Sequence, residues 1–247
     1  MIKDINVVIL MAGEGERFKI AGYRELKPFI EIQNKMMIEH VFESFKFFNC
    51  SFLLVVQEKI LETKKEKFEK LKQKYNIKIS TVPHLTMGAA ITALSAIEKL
   101  NKNQDLLFVD CDNIYKPKDI ENFILDSRKR MLDASLLTFS SNEAVFSYAK
   151  VNEDNLLIQT KEKEVISNFA IAGAYYFKNV ELFQKSAIDL IVDGDLSKKE
   201  FYMSALYNCL LKRTKNISIF KIENFSCVGT PIQLENFIKE KSVCNVL

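Results

Sequence analysis

The 247-residue chain contains no tryptophan, two histidines, four prolines and seven glycines. So little glycine and proline excludes collagen-like and low-complexity organisation, and no stretch rich in either marks an interdomain linker. The five cysteines, at 50, 111, 209, 227 and 244, are odd in number and show no C-x-x-C spacing. With so few histidines near them, they spell neither a zinc site nor a disulfide framework, and a reducing cytoplasm fits. Charge of one sign is also lacking. Lys and Arg number 35 and Asp and Glu 32, a net charge of +3 that gives no footprint for nucleic acid. Long apolar runs are missing too. The run after Asp4 extends for about seven residues, against the ~18–20 that span a bilayer, so no membrane role and no signal segment are expected.

What is present is a globular composition, 48% hydrophobic and 27% charged. Apolar, β-branched runs at Asn6–Met11, Phe52–Val56, Ile77–Val82 and Leu106–Val109 read as buried strands. Between them, Met37–Phe47, Lys59–Tyr75 and Gly88–Leu100 carry helical periodicity. This alternation predicts an α/β fold with a doubly wound, mostly parallel central sheet, covered on both faces. The second half predicts strands at Ala134–Phe139, Ser147–Val151, Leu156–Thr160, Phe169–Phe177 and Ile217–Ile222. Helices are expected over Leu182–Val192, Glu200–Lys212 and Thr230–Lys239, the last opened by Thr-Pro. No boundary is visible, so residues 1–247 read as one domain. It has a nucleotide-binding half over about 1–130 and an acceptor-binding half over about 131–247.

In such sheets a ligand binds at the carboxyl ends of the strands. The first predicted strand runs into Ala12-Gly13-Glu14-Gly15-Glu16-Arg17-Phe18, and the fourth into Asp110-Cys111-Asp112-Asn113. Glycines let backbone N–H groups approach an anion closely. Arg17 adds a fork of donors, and Lys27-Pro28 a compact cation ten residues on. A tight turn with two solvated cations is the plain alternative for this segment. The dinucleotide fingerprint fails, because Phe18 stands at its last glycine, and the P-loop pattern fails as well.

The segment LMAGEGERF…LKPFIEIQNKMMIEHVFESF resembles the opening signature of the sugar-1-phosphate nucleotidyltransferases, L-x-x-G-x-G-x-R followed by P-K-P. Leu26 stands where that family usually has proline, and Gln33-Asn34-Lys35-Met36 where a Gly-Lys-Pro turn is usual. Further matches follow in the family's order. They are Thr86-Met87-Gly88-Ala89-Ala90, Asp112-Asn113-Ile114-Tyr115, Ser147-Tyr148-Ala149-Lys150, Glu162-Lys163, Ala172–Phe177 and Val228-Gly229-Thr230-Pro231.

The resemblance implies a Rossmann-like, GT-A-type fold. It also implies attack by an acceptor phosphate on the α-phosphorus of a nucleoside triphosphate, with release of pyrophosphate. Arg17, Lys27 and Asp112 would be catalytic. Leu10, Met11, Ala12, Gly13, Glu14, Gly15, Glu16, Gly88 and Ala89 would hold the nucleotide. Glu162, Lys163, Tyr148, Gly173 and Glu200 would face the acceptor. Asp112, with Asp110, would hold Mg²⁺. Taken alone, Asp112 is equally a loop-forming residue and Lys163 a surface lysine. His40 and His84 are assigned no catalytic role.

The main departure is Cys227, which stands where the family often places a second metal carboxylate; a thiol is a poor Mg²⁺ ligand. The expected partners are a pyrimidine triphosphate, CTP or UTP, and a phosphorylated small molecule, serving surface polysaccharide synthesis in the cytoplasm; a homo-oligomer stays open. One alternative is a glycosyltransferase using Asp110-Cys111-Asp112 as its D-x-D. A non-catalytic nucleotide sensor is another. Arg17 and Lys27 argue against the first, because a pyrophosphate-releasing enzyme needs them and a glycosyltransferase does not; Cys227 favours the second, and the retained Arg17, Lys27 and Lys163 argue against it.

Overall fold

Apolar strands and short helices alternate from the first residues onward in a computed structural model, which describes residues 5–48, 50–193, 200–223 and 225–244. In the first half, β1 (Asn6–Leu10) leads to α1 (Glu16–Ile20), a 3₁₀ turn at Lys27–Phe29 and a small hairpin, β2 (Glu31–Ile32) and β3 (Lys35–Met36). Then follow α2 (Met37–Glu43), β4 (Phe52–Gln57), α3 (Glu58–Thr63), α4 (Lys65–Lys74), β5 (Ile77–Val82) and α5 (Ala89–Leu94). β6 (Leu106–Asp110), β7 (Asn113–Ile114) and α6 (Pro117–Lys129) close this half. The second half comprises β8 (Ala134–Ser140), β9 (Tyr148–Val151), β10 (Leu157–Lys161), β11 (Phe169–Phe177), α7 (Val180–Val192), α8 (Met203–Leu210), β12 (Ile217–Lys221), β13 (Ser226–Cys227) and α9 (Pro231–Cys244).

The central sheet is the doubly wound, mostly parallel one the pattern predicts. β5, β4, β1 and β6 lie side by side and parallel. β11 then adds antiparallel to β6, pairs with β8 along its other edge, and meets β9 at Ala170 on the edge opposite β8. Alternate residues of β1 enter two different cores. Val8 packs with α5, α7 and α8 on one face, and Val7 and Ile9 pack with α2, α4 and α6 on the other. That two-sided burial is why β1, β4 and β6 read as apolar runs, whereas the edge strand β5 carries Lys78, Ser80 and Thr81. No helix among the described residues is long and apolar enough to cross a membrane.

Several elements differ from the periodicity. The helix expected over Lys59–Tyr75 breaks at Lys64 into α3 and α4. The one expected over Gly88–Leu100 ends at Ser95 and resumes as a 3₁₀ turn. α8 starts at Met203, because Tyr202 is extended and Phe201 bonds its peptide groups to Met87 and Ala90. The 13-residue α6 stands where the pattern reading placed no element. Lys116-Pro117 opens it, and Ile120, Phe123 and Ile124 bury its inner face. At the β2–β3 turn, Gln33 and Asn34 take φ of 49° and 65°, so this turn is closed without the usual glycine.

Candidate active site

A cleft of about 560 Å³ opens at the carboxyl ends of β1 and β6. Its upper wall is the glycine loop. Gly15 adopts φ 64° and caps α1, whose first turn carries Arg17 to the rim. A side chain at Gly15 would lie 3.3 Å from Lys27 Cβ, so the loop rests directly on the Lys27 stem.

The floor is acidic. β6 ends at Asp110, and Asp112 follows in the loop to β7. Lys27 Nζ donates to Asp112 Oδ2 at 2.6 Å. Burial opposes charge on Lys27, but Asp112, Cys111 and Asp110 outweigh it and hold the ammonium above the ordinary lysine range. Two glycines make room for the carboxylates. β11 has a register shift between Ile171 and Tyr175, and Gly173 sits in it with φ 70°. A side chain there would drive into Asn113 Nδ2 and Asp110 Oδ2, and one at Gly229 would drive into Asp112 Oδ2. Asn113 donates to Ala172 O at 3.1 Å and to Asp110 Oδ2 at 3.3 Å, while its own carbonyl oxygen is buried with no hydrogen-bond partner among the described residues.

The donor set suits a hard cation: carboxylate and amide oxygens, no imidazole. Among the described residues no cluster of three or more His, Cys, Asp or Glu forms a closed cage. Cys227 lines the same floor, its strand paired to β7 opposite Asn113. Burial, with Asp112 nearby, pushes its thiol up to about 12, so it stays protonated and offers no thiolate. Cys227→Ser is therefore expected to leave Mg²⁺ affinity close to wild type. Cys227→Asp is expected to tighten Mg²⁺ binding, because it adds an oxygen ligand beside Asp112. Calorimetric Mg²⁺ titration checks both, and lost Mg²⁺ affinity in Cys227→Ser would give the thiol a role of its own.

Burial, reinforced by the Asp112 and Glu162 carboxylates and only partly offset by Lys27, pushes the Asp110 carboxyl up to about 8 from an ordinary 3.8. The folded protein thus holds this proton more tightly than the unfolded chain does. The site's contribution to stability is greatest at acid pH and is lost as pH rises from about 4 to about 8. In EDTA, the wild-type Tm should fall across that window more than the Tm of Asp110→Asn. Parallel Tm profiles would remove the strained carboxyl.

The other wall comes from the second half. Glu162 accepts hydrogen bonds from Ser147 Oγ and, at 2.8 Å, Ser204 Oγ, and it lines the cleft with Glu200, Phe146, Tyr175, Tyr202 and Phe225. The turn at 86–90 is fastened to this wall. Phe201 N donates to Met87 O at 2.8 Å, and Ala90 N donates to Phe201 O at 3.0 Å. Gly88, at φ 111°, allows that approach, since a Cβ would lie 2.6 Å from Phe201 N.

The cleft therefore brings together Gly13, Gly15, Glu16, Arg17, Lys27, Ala89, Asp110, Asp112, Glu162, Gly173 and Glu200. Others lie outside it. Leu10 is the last residue of β1, and Met11 and Ala12 are buried behind the loop, where Gln57 donates to Ala12 O at 2.6 Å. Glu14 turns away to pair with Lys19. Gly88 faces Phe201 rather than the cleft. Tyr148 is a correction: its ring is fully buried and its hydroxyl donates to Glu143 O, so its neighbour Ser147 faces the cleft instead. Alternation along β9 turns the tyrosine inward. Lys163 lines an adjoining pocket, its ammonium 5.4 Å from the Tyr202 ring centre. His40 bonds the Ile32 carbonyl, a structural contact. Asn113, Ser147, Tyr175 and Gly229 sit inside the quoted motifs and were within reach of the sequence; Phe146, Phe225 and Gln233 carry no local signal.

A family model described as Nucleotidyl transferase matches residues 6–235. A "Bifunctional protein GlmU" from Thermodesulfovibrio yellowstonii is 26% identical over 88% of this chain and 47% of its own length. One of the same name from Methanococcus maripaludis is 30% identical over 71% of this chain and 40% of its own length. The chain thus spans about half the length of the curated relatives it matches. In fold it is similar to a nucleoside-diphosphate-sugar pyrophosphorylase from Vibrio cholerae RC9, with a TM-score of 0.84, 24% identity, and 94% and 99% of the two chains covered. It is also similar to the inositol-1-phosphate CTP transferase from T. maritima, with a TM-score of 0.75, 14% identity, and 95% and 96% covered.

Proposed function

Because the chain belongs to the nucleotidyl transferase family, we propose that it transfers a nucleotidyl group from a nucleoside triphosphate to a sugar 1-phosphate or related phosphorylated metabolite, releasing pyrophosphate. The observation that carries this is the convergence of Arg17, Lys27, Asp110 and Asp112 in one cleft under the glycine loop. In-line attack at phosphorus needs positioning and charge neutralisation more than covalent help. The loop amides at Gly13 and Gly15 bind the phosphate chain. Arg17, exposed at the rim, neutralises the departing pyrophosphate. Lys27, rising from the floor, meets the α-phosphate and the incoming oxygen. Asp112 and Asp110 would hold Mg²⁺, which when bound spreads phosphate charge and aligns its oxygens. Glu162 and Glu200 accept hydroxyls of the acceptor and orient it.

The donor in this reading is a pyrimidine triphosphate, CTP or UTP, supported by the CTP transferase that shares the fold. The product feeds surface polysaccharide synthesis in the cytoplasm. Lys163 takes the acceptor's phosphate by leaving the Tyr202 ring. Lys163→Ala is accordingly expected to raise the acceptor KM with little change in nucleotide affinity, and calorimetry showing the reverse would exchange the roles. The decisive experiment is pyrophosphate release from each common nucleoside triphosphate against a panel of phosphorylated metabolites. Turnover with CTP or UTP and a sugar phosphate supports the reading. No release from any pair, with the protein still binding nucleotide, would favour a sensor instead.

A further inference from the structure

The carboxylate best placed for a cation is already engaged by one. Asp112 Oδ2 receives the Lys27 ammonium at 2.6 Å, and the two side chains are only 17% and 21% exposed. On another side Gly229 closes against the same oxygen, where even a Cβ would sit 2.5 Å away. A divalent ion reaching for Asp112 Oδ2 therefore competes with Lys27 for it. Cys227, beside them, is a thiol and adds no second negative charge to compensate. Meanwhile the Lys27 stem is packed under Gly15, so the ammonium needs only a swing of its own side chain to turn from the floor to the underside of the glycine loop.

We propose that Lys27 occupies the metal position until nucleotide arrives, and that the triphosphate draws it off Asp112 and so creates the metal site. The inference rests on the nucleotidyltransferase reading for its physiological trigger. A lone cation meets a neutral Lys27–Asp112 pair, which attracts it weakly. A triphosphate brings several negative charges to the loop and gives the ammonium a stronger partner. It also brings oxygens that complete the cation's coordination. Metal and nucleotide then bind in synergy, by the reciprocity of linked equilibria.

The test needs no catalysis. Mn²⁺ binding to the full chain without nucleotide is followed by loss of the free-ion electron paramagnetic resonance signal. Lys27→Met should bind Mn²⁺ at least about tenfold more tightly than wild type, because the competing cation is gone. Lys27→Gln, which keeps a donor for Asp112, should do the same and carries the test if the Met variant fails to fold. Lys27→Arg, which keeps the charge, should remain as weak as wild type. Adding CTP should tighten Mn²⁺ binding to the wild type more than to Lys27→Gln. Equal Mn²⁺ affinity for wild type and the folded neutral variants overturns the exchange, as does tight Mn²⁺ binding by nucleotide-free wild type. Failure of the functional reading shows separately, as absent pyrophosphate release, and leaves the nucleotide-free comparison intact.

Discussion

Asp112→Asn is expected to lower pyrophosphate release by about 10³-fold or more and, because it strips the Lys27 ammonium of its counter-charge, to lower the Tm as well. The substitution is nearly isosteric, so the space left by Gly229 still fits it and Lys27 Nζ still finds an oxygen to donate to. What disappears is the negative charge on which both the ammonium and a divalent ion depend. Steady-state turnover at saturating Mg²⁺, together with the Tm, separates the two effects. A fully active Asp112→Asn protein would remove the metal from this floor.

Arg17→Ala and Lys27→Ala should each cut kcat/KM by about 10²-fold, or about 2.7 kcal/mol, the scale of one lost preorganised donor. Their effects on stability should differ. Arg17 is exposed at the rim, so its removal leaves the Tm unchanged. Lys27 is the partner of a half-buried carboxylate, so Lys27→Ala strands that charge and lowers the Tm. The double variant tests whether the two cations act on one charge. Losses that fail to add would show that they do. Near-wild-type turnover in both single variants would refute the assignment.

The strands around the cleft were legible because two-sided burial writes itself as continuous apolar sequence in β1, β4 and β6, while β5, at the sheet edge, shows as a shorter alternation of Ile77, Ile79 and polar residues. Helix ends were less so. Nothing in the Lys/Glu-rich run says that it breaks at Lys64, and α8 starts at Met203 only because Phe201 bonds Met87 and Ala90, more than a hundred residues away. α6 is a different case, since its proline start and apolar spacing are plain in the sequence. In the site, Arg17, Lys27 and Asp112 were recognisable from motif order. Gly173 was named for its motif. Its physical duty, leaving room for Asp110 and Asn113, appears only when β11 lies against β6. Tyr148 was misplaced because a motif names a neighbourhood, whereas strand alternation decides which residue of it faces the cleft.

The fastening of Gly88 to Phe201 bears on how such a protein can change its substrates. Phe201 lies between Glu200 and Tyr202, proposed for the acceptor wall, while Ala89 next to Gly88 is proposed for the nucleotide side; all three proposed residues line the cleft. In that reading, remodelling one wall to admit a bulkier acceptor pulls on the turn proposed to meet the nucleotide. A hybrid joining residues 1–130 of this chain to the second half of a relative inherits only one side of that seam. Such hybrids should work only where the incoming backbone reproduces the Phe201 course, whatever its side chain, since both hydrogen bonds are made by peptide groups. Donor and acceptor preference would then drift together in this lineage rather than being exchanged as separate modules.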